Sequence, residues 1–165
     1  MKTCIIIIVM LLIVFQCSAQ VSVPRENQSA LSERSVYGVG FSAGLVSGFG
    51  LSFRHHFPYE FSYQLVGGII SVDRNLHYNL SIEAQYDLAH SAATRFFAGG
   101  GVGFFYSGES GHNNLSAPLR VGVGIGGEWV NIFSPVHLTG EILFTYFSDG
   151  TVLPLPQASV HYYFF

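Results

Sequence analysis

The sequence predicts an all-β protein, an eight-stranded antiparallel up-and-down transmembrane β-barrel. The first observation is alternation: from Leu76 to Leu88 every even position is apolar and every odd position is polar, which is the period of a strand. The second is that such segments recur in a chain of which only 10% is charged. Several strands of this kind could not all turn their polar faces outward and stay soluble. The pattern therefore favours apolar faces toward lipid and polar faces inward.

The N-terminus reads as a targeting segment. A short positive start, Met1–Thr3, precedes an almost unbroken apolar run from Cys4 to Phe15. Small residues at Cys17–Ala19 suit cleavage before Gln20, so residues 1–19 are predicted to be a signal peptide. Lipid attachment at Cys17 is a less favoured alternative, because the residues before it are bulky. The polar segment 20–34 is predicted to be a flexible periplasmic lead, and the barrel to occupy 35–165.

Composition excludes several classes of function. Both cysteines and the only lysine lie in the predicted signal peptide, so the remaining 146 residues carry six arginines against ten acidic residues. No disulfide framework is then available, and a nucleic-acid partner is not expected without a basic stripe. No later segment approaches the length of a membrane helix. We expect neither a cofactor nor a bound metal.

Eight strand segments follow one another along the chain. They are predicted near Val36–Leu45, Phe49–Phe57, Phe61–Val72, Leu76–Leu88, Thr94–Ser107, Leu119–Val130, Val136–Phe147 and Gln157–Phe165. The longest predicted loops, Gly108–Pro118 and Asp149–Pro156, fall on the same side of an even-numbered barrel. This agrees with long outer loops and short periplasmic turns.

Alternation is less clean in the third and fifth segments, where four apolar residues are predicted to point inward: Val66, Ile70, Phe97 and Phe105. In the last segment Gln157, Ser159 and His161 share a face with aromatic residues, and we take this face as inward. The chain ends on Phe165. An aromatic residue closing an amphipathic last strand resembles the signal by which outer-membrane barrels are recognised for insertion. Strand count, alternation, loop asymmetry and Phe165 together resemble the small eight-stranded outer-membrane barrels of the OmpA/OmpX type.

Charged and histidine side chains are predicted to cluster inside the barrel, toward its periplasmic half. The cluster comprises Arg54, His56, Glu83, Asp87, Arg95, Glu128, His137, Glu141 and His161. The interior of an eight-stranded barrel is just wide enough for side chains to fill, and buried charges require partners. We therefore expect a salt-bridged plug, with a proton or ion path or a catalytic cluster as the sharper alternatives. Inward glycines in the middle of the wall are expected to leave a small cavity above this plug.

Other patterns point to chemistry only weakly. The adjacent His55 and His56 face opposite sides of a strand and cannot chelate one metal together. The glycine-rich stretches lie inside strands with no helix after them, which argues against a phosphate site. Phe147-Ser148-Asp149 is similar to the serine segment of outer-membrane lipid A deacylases, but Tyr146 stands where that family's histidine should be. We therefore do not expect an enzyme.

The sequence thus predicts a monomeric barrel of a Gram-negative outer membrane with a structural or surface-interaction role. Its expected partners are outer-membrane lipid, lipopolysaccharide and the barrel-assembly machinery, with an extracellular ligand contacted through Gly108–Pro118. A lipid-modifying enzyme, a narrow pore and a soluble lipocalin-like barrel remain as alternatives.

Overall fold

The computed structural model describes residues 35–72, 75–91, 93–109, 112–130 and 135–164. The predicted signal peptide, the 20–34 segment and Phe165 lie outside these residues. The described residues form eight strands: β1 (Val36–Gly44), β2 (Gly48–His56), β3 (Phe61–Val72), β4 (Asn75–His90), β5 (Thr94–Gly108), β6 (Leu119–Val130), β7 (Val136–Phe147) and β8 (Val152–Phe164). No helix in this part of the chain is long and apolar enough to span a membrane.

The strands close into one barrel in which each is antiparallel to its sequence neighbours. Pairing of β1 with β8, from Tyr37 opposite Phe164 to Gly44 opposite Gln157, joins the two ends of the sheet. The prediction of an eight-stranded antiparallel up-and-down barrel is confirmed. Closure removes the free sheet edge along the paired length, so backbone groups there are satisfied within the wall.

The barrel is polar inside and apolar outside. On β4, Leu80 is 66% exposed whereas the next residues on either side, Asn79 and Ser81, are 3% and 4% exposed. On β7 the same alternation runs through the whole strand. Arginine, glutamate, glutamine, histidine and serine side chains dominate the buried set. This distribution is the reverse of that in a soluble barrel, whose apolar residues face inward.

The last strand is longer than the sequence indicates. The prediction of a loop over Asp149–Pro156 is wrong, because β8 begins at Val152 and only a short turn, 148–151, separates it from β7. Two prolines, Pro154 and Pro156, suggested a loop, yet they pair with Phe144 and Ile142 of β7. Proline is tolerated where a strand forms an edge. The connection between β5 and β6, part of which the structure describes, is therefore the one long connection at the end predicted to be the outer one.

Three of the four apolar residues predicted to point inward are buried: Val66, Phe97 and Phe105. The fourth, Ile70, lies on the inward side of β3 by alternation but is 46% exposed. The reason is the uneven height of the wall. β4 and β5 contain 16 and 15 residues, whereas β1 and β2 contain nine each. Ile70 rises above the shorter strands and has no neighbour there to cover it.

Candidate functional site

The half of the interior that is predicted to face the periplasm is centred on Glu128, whose side chain is fully buried. Its Oε2 accepts hydrogen bonds from Arg54 Nη1 at 3.1 Å and from Arg95 Nη2 at 2.8 Å. Its Oε1 accepts one from His137 Nδ1 at 2.9 Å. One carboxylate from β6 thus joins side chains from β2, β5 and β7 across the lumen. Charge-assisted hydrogen bonds of this kind hold the strands in register.

Arg54 is the most enclosed member of this group, at 0% exposure. Besides Glu128, its guanidinium donates to Thr139 Oγ1 at 2.9 Å and Ser159 Oγ at 3.3 Å. It also donates through Nε to Gln64 Oε1 at 3.0 Å, and Nη2 contacts the same oxygen. Guanidinium offers five donors in a planar fork, and here they engage four other strands. The desolvated cation is therefore held by one carboxylate and several neutral acceptors.

Arg95 extends the network to the rim of the barrel on the same side. It donates to Asp87 Oδ1 at 2.7 Å, Gln85 Oε1 at 2.7 Å and Ser62 Oγ at 3.1 Å. A weaker contact of 3.4 Å reaches His56 Nδ1. That contact makes Nδ1 the acceptor, so the His56 ring donates through Nε2 to Tyr163 Oη at 2.9 Å. The two arginines and the two carboxylates Glu128 and Asp87 balance in formal charge.

A second acidic layer lies toward the middle of the barrel. Glu83 accepts from Gln85 Nε2 and Gln157 Nε2, both at 2.7 Å. Glu141 interacts with Glu83 and Gln157, and its Oε2 is buried without a hydrogen-bond partner. Among the described residues no arginine lies within salt-bridge distance of either glutamate. This layer is therefore held by neutral amides and differs from the ion-paired layer below it.

The other half of the lumen, at the end predicted to be the outer one, is occupied by the turn between β1 and β2, which folds inward. Val46 and Ser47, at its centre, are each 1% exposed. Ser47 donates its backbone N–H to Gln157 Oε1 at 3.2 Å and pairs with Ser42 Oγ at 3.1 Å. Ser81 Oγ donates to the Ser47 carbonyl. Residues 45–47, here called the inward turn, thus form a lid over the acidic layer.

The inward turn reaches the opposite wall. Arg120, at the outer end of β6, donates through Nη1 to the Leu45 carbonyl at 2.7 Å. Its guanidinium lies over the Phe105 ring, with Cζ 3.8 Å from the ring centroid, and 5.2 Å from that of Phe147. Such cation–aromatic stacking fixes a planar guanidinium in orientation. Arg120 therefore holds the turn across the mouth of the barrel.

The inward glycines accommodate bulky neighbours. A Cβ at Gly122 would lie 3.0 Å from Val46 Cγ2, and one at Gly103 would overlap the Val46 carbonyl oxygen. Lower in the wall, a Cβ at Gly126 would meet the ring of Phe97. The prediction of a cavity above the plug is thus wrong at these positions, because the inward turn and an inward phenylalanine cover the glycine faces.

The structure brings six of the nine predicted interior residues into one network: Arg54, His56, Asp87, Arg95, Glu128 and His137. Glu83 and Glu141 form the acidic layer, which Gln85 joins to Arg95. His161 contacts Ser52 Oγ at 2.8 Å through Nε2. The functional roles suggested for these residues, and for Phe165 as an assembly signal, stay predictions. Sequence reasoning left Gln64, Gln85 and Gln157 out of the predicted interior cluster, although their inward positions in alternating strands were the available signal.

This interior offers hydrogen bonding and charge balance more readily than ligand chemistry. Within the described ranges, no group of three or more His, Cys, Asp or Glu side chains is placed to hold a metal ion. The continuous chain from Arg95 through Gln85, Glu83 and Gln157 to Ser47 links the ion-paired layer to the inward turn.

Comparison with known proteins adds little beyond architecture. The chain matches no protein-family model and no curated protein sequence. Among solved structures it is similar to Neisserial surface protein A (NspA), with 12% identity, a TM-score of 0.40 and coverage of 78% of this chain and 91% of that one. It is also similar to CarO2 of Acinetobacter baumannii, with 12% identity, a TM-score of 0.37 and coverage of 79% and 99%. At these values neither likeness carries a functional argument.

Proposed function

We propose that this chain is an integral barrel of a bacterial outer membrane with a structural or surface-interaction role and a lumen that does not conduct. The observation that carries the proposal is the inside-out distribution of side chains. Large apolar residues such as Leu51, Ile69 and Trp129 are about 70% exposed on the outer face, while charged residues are buried within. A lipid bilayer is the solvent that such a surface requires.

The level of the bilayer is suggested by aromatic residues at the two ends of the wall. Near the outer end Tyr78 stacks on Tyr106 with ring centroids 4.9 Å apart. Near the periplasmic end Tyr37 stacks on His55 at 4.4 Å. Tyrosine and tryptophan collect at both interfaces of a membrane, so the apolar belt between these groups would span the hydrocarbon.

A structural role is supported by the way the lumen is filled at two levels. Glu128 ties Arg54 and Arg95 together below, and the inward turn closes the mouth above. Opening a path for ions would require breaking buried ion pairs and displacing the turn. The outer loop 109–118 would then be the surface available to an external partner. Part of it folds back on β5, since Asn113 Nδ2 donates to the Phe105 carbonyl at 2.9 Å and Asn114 N donates to the Ser107 carbonyl at 2.7 Å.

Fractionation and conductance measurements test the two parts of this proposal. The protein should stay with the outer membrane until detergent is added, and release into the soluble periplasm would contradict membrane integration. Purified, heat-modifiable protein in planar bilayers should show no steady single-channel conductance. Large, ion-selective conductance would instead make the buried charged residues the lining of a pore.

A further inference from the structure

The wall of the barrel is interrupted above β1 and β2. The last pair between β1 and β8 joins Gly44 to Gln157, so residues 152–156 of β8 pair only with β7. On the other side, the ladder between β2 and β3 ends at Leu51 and Gly67, while β3 continues to Val72 paired only with β4. The resulting gap, here called the outer notch, is roughly 13–17 Å tall along the strands, at about 3.4 Å for each residue.

The prolines of β8 face this notch. Tyr163 donates its backbone N–H to the Pro135 carbonyl at 2.8 Å, so odd-numbered N–H groups of β8 point toward β7. Backbone groups alternate along a strand, and the nitrogens of Pro154 and Pro156 therefore point toward the notch. Because proline has no N–H, this edge exposes fewer unpaired donors. An edge built in this way can remain open beside lipid at lower cost.

Above the inward turn, two apolar side chains stand at the edges of the inner surface of the barrel. Ile70 of β3 and Leu153 of β8 share the inward faces of Val66 and Gln157 and stand on opposite sides of the outer notch. They are 46% and 45% exposed, since no side chain of β1 or β2 rises to cover them. Val46, at the centre of the inward turn, packs against Gly103 and Gly122 on the opposite wall, and Gly103 pairs with Arg120. This space, here called the outer bay, has apolar edges at the outer notch, and His77 and Thr145 lie beside Ile70 and Leu153 on its inner wall.

The outer notch lies at the level of the outer aromatic residues. Tyr78 pairs with Ile69 across the β3–β4 ladder, and Tyr146 pairs with Val152 across the β7–β8 ladder. The outward faces there are also apolar, because Ile69 and Val152 are 72% and 58% exposed. The outer bay would thus open sideways into the outer leaflet, at the boundary between chains and headgroups.

One cation faces the outer bay from the far wall. Arg120 is about half-buried and forms no ion pair with any described carboxylate. Its Nε has no hydrogen-bond partner. An anionic group would pair with this guanidinium. An aliphatic chain would fit the path that runs over Val46 and out between Ile70 and Leu153.

We infer that the outer bay binds a membrane amphiphile with one anionic end, taken from the outer leaflet through the outer notch. The anionic end pairs with Arg120, and the chain passes over the inward turn and out between Ile70 and Leu153. This inference rests on the proposed membrane location and names the class of ligand that such a barrel would hold.

The test uses protein purified from outer membranes and placed in phosphatidylcholine nanodiscs. The probe is 11-(dansylamino)undecanoic acid, with empty nanodiscs as the blank and its methyl ester as the uncharged comparison. We expect the acid to bind saturably and the ester to bind with roughly tenfold lower affinity. A roughly tenfold difference in affinity corresponds to the loss of one charge-assisted hydrogen bond. The ester comparison needs no variant and so cannot fail through misfolding.

Two variants narrow the outer notch, Ile70→Trp and Leu153→Trp, and each should weaken binding of the acid by roughly tenfold. Ile69→Trp, on the same strand but facing outward, is the matched control and should bind as the wild type does. A folded barrel without saturable binding, equal binding of acid and ester, or equal effects of Ile70→Trp and Ile69→Trp would overturn the inference. Failure of the protein to enter the outer membrane would instead contradict the proposed function itself.

Discussion

Replacing Glu128 by glutamine tests whether the ion-paired layer stabilises the barrel. This carboxylate is fully buried and accepts from Arg54, Arg95 and His137. Glutamine keeps the shape and one acceptor oxygen, but it leaves two buried guanidinium groups with only Asp87 to balance them. Breaking a buried pair by removing one partner costs about 3–5 kcal/mol, because the remaining charge is uncompensated. We expect the free energy of unfolding to fall by about this amount.

Glu141→Gln is the matched control. Glu141 is also a buried inward glutamate on a neighbouring strand, but it has no arginine within salt-bridge distance and one of its oxygens is unpartnered. Replacing it breaks no ion pair and leaves no cation uncompensated, so we expect the free energy of unfolding to change by no more than about 1 kcal/mol. The two variants make the same substitution in the same interior and differ in ion pairing.

Urea unfolding in lipid vesicles, followed by Trp129 fluorescence and by heat-modifiable migration on gels, measures both variants. If Glu128→Gln unfolds at the same urea concentration as wild type, or if both variants lose equal stability, the buried ion pairs do not stabilise the barrel. Replacing Arg54 and Glu128 together by apolar residues should recover part of the loss, since both charges are then removed.

Three further predictions address lipid facing, the inward turn and assembly. Leu80→Arg should lower the free energy of unfolding in lipid by about 2–4 kcal/mol, whereas Asn79→Arg should act by crowding the lumen. If Asn79→Leu strongly destabilised the barrel and Leu80→Arg did not, the inward and outward faces would be reversed. Gly103→Ala should displace the inward turn and lower the free energy of unfolding by about 1–3 kcal/mol. Gly140→Ala, with open space around its Cβ, should leave stability unchanged, and equal unfolding midpoints for the two variants would argue against the packing described. Deleting Phe165 should lower the outer-membrane yield without affecting secretion, and full yield of heat-modifiable protein would remove its assembly role.

The wall of the barrel could be predicted because the periodicity of a strand depends on residues that are close in sequence. Alternation along the segment from Leu76 to Leu88 depends only on neighbouring side chains pointing to opposite faces. Strand count and inward residues such as Arg54 and Glu128 follow from the same period. Pairing inside the lumen could not be predicted, because it depends on the stagger between strands that are distant in sequence. Arg54 and Glu128, which meet at 3.1 Å, are 74 positions apart.

The start of β8 escaped prediction for a different reason. Pro154 and Pro156 are typical of a loop, and only the early end of β1 at Gly44 leaves a strand edge where they fit. That edge exists because the β1–β2 hairpin is shorter than its neighbours. The length of one strand therefore decides whether proline is tolerated in another, and no local pattern contains that information.

The inward turn was predictable in principle from glycine. Gly99, Gly101 and Gly103 follow one another on the inward face of β5, and β6 repeats the pattern opposite them. Close packing leaves few voids in a protein interior, so a wall that lacks side chains over this length requires another part of the chain to fill the space. The first outer connection is short, but it starts from the lowest part of the wall and can reach across the lumen. The glycines and the short hairpin are thus two parts of one arrangement. The β1–β2 strands are short where the turn enters the lumen, and the opposite wall lacks side chains where the turn packs against it.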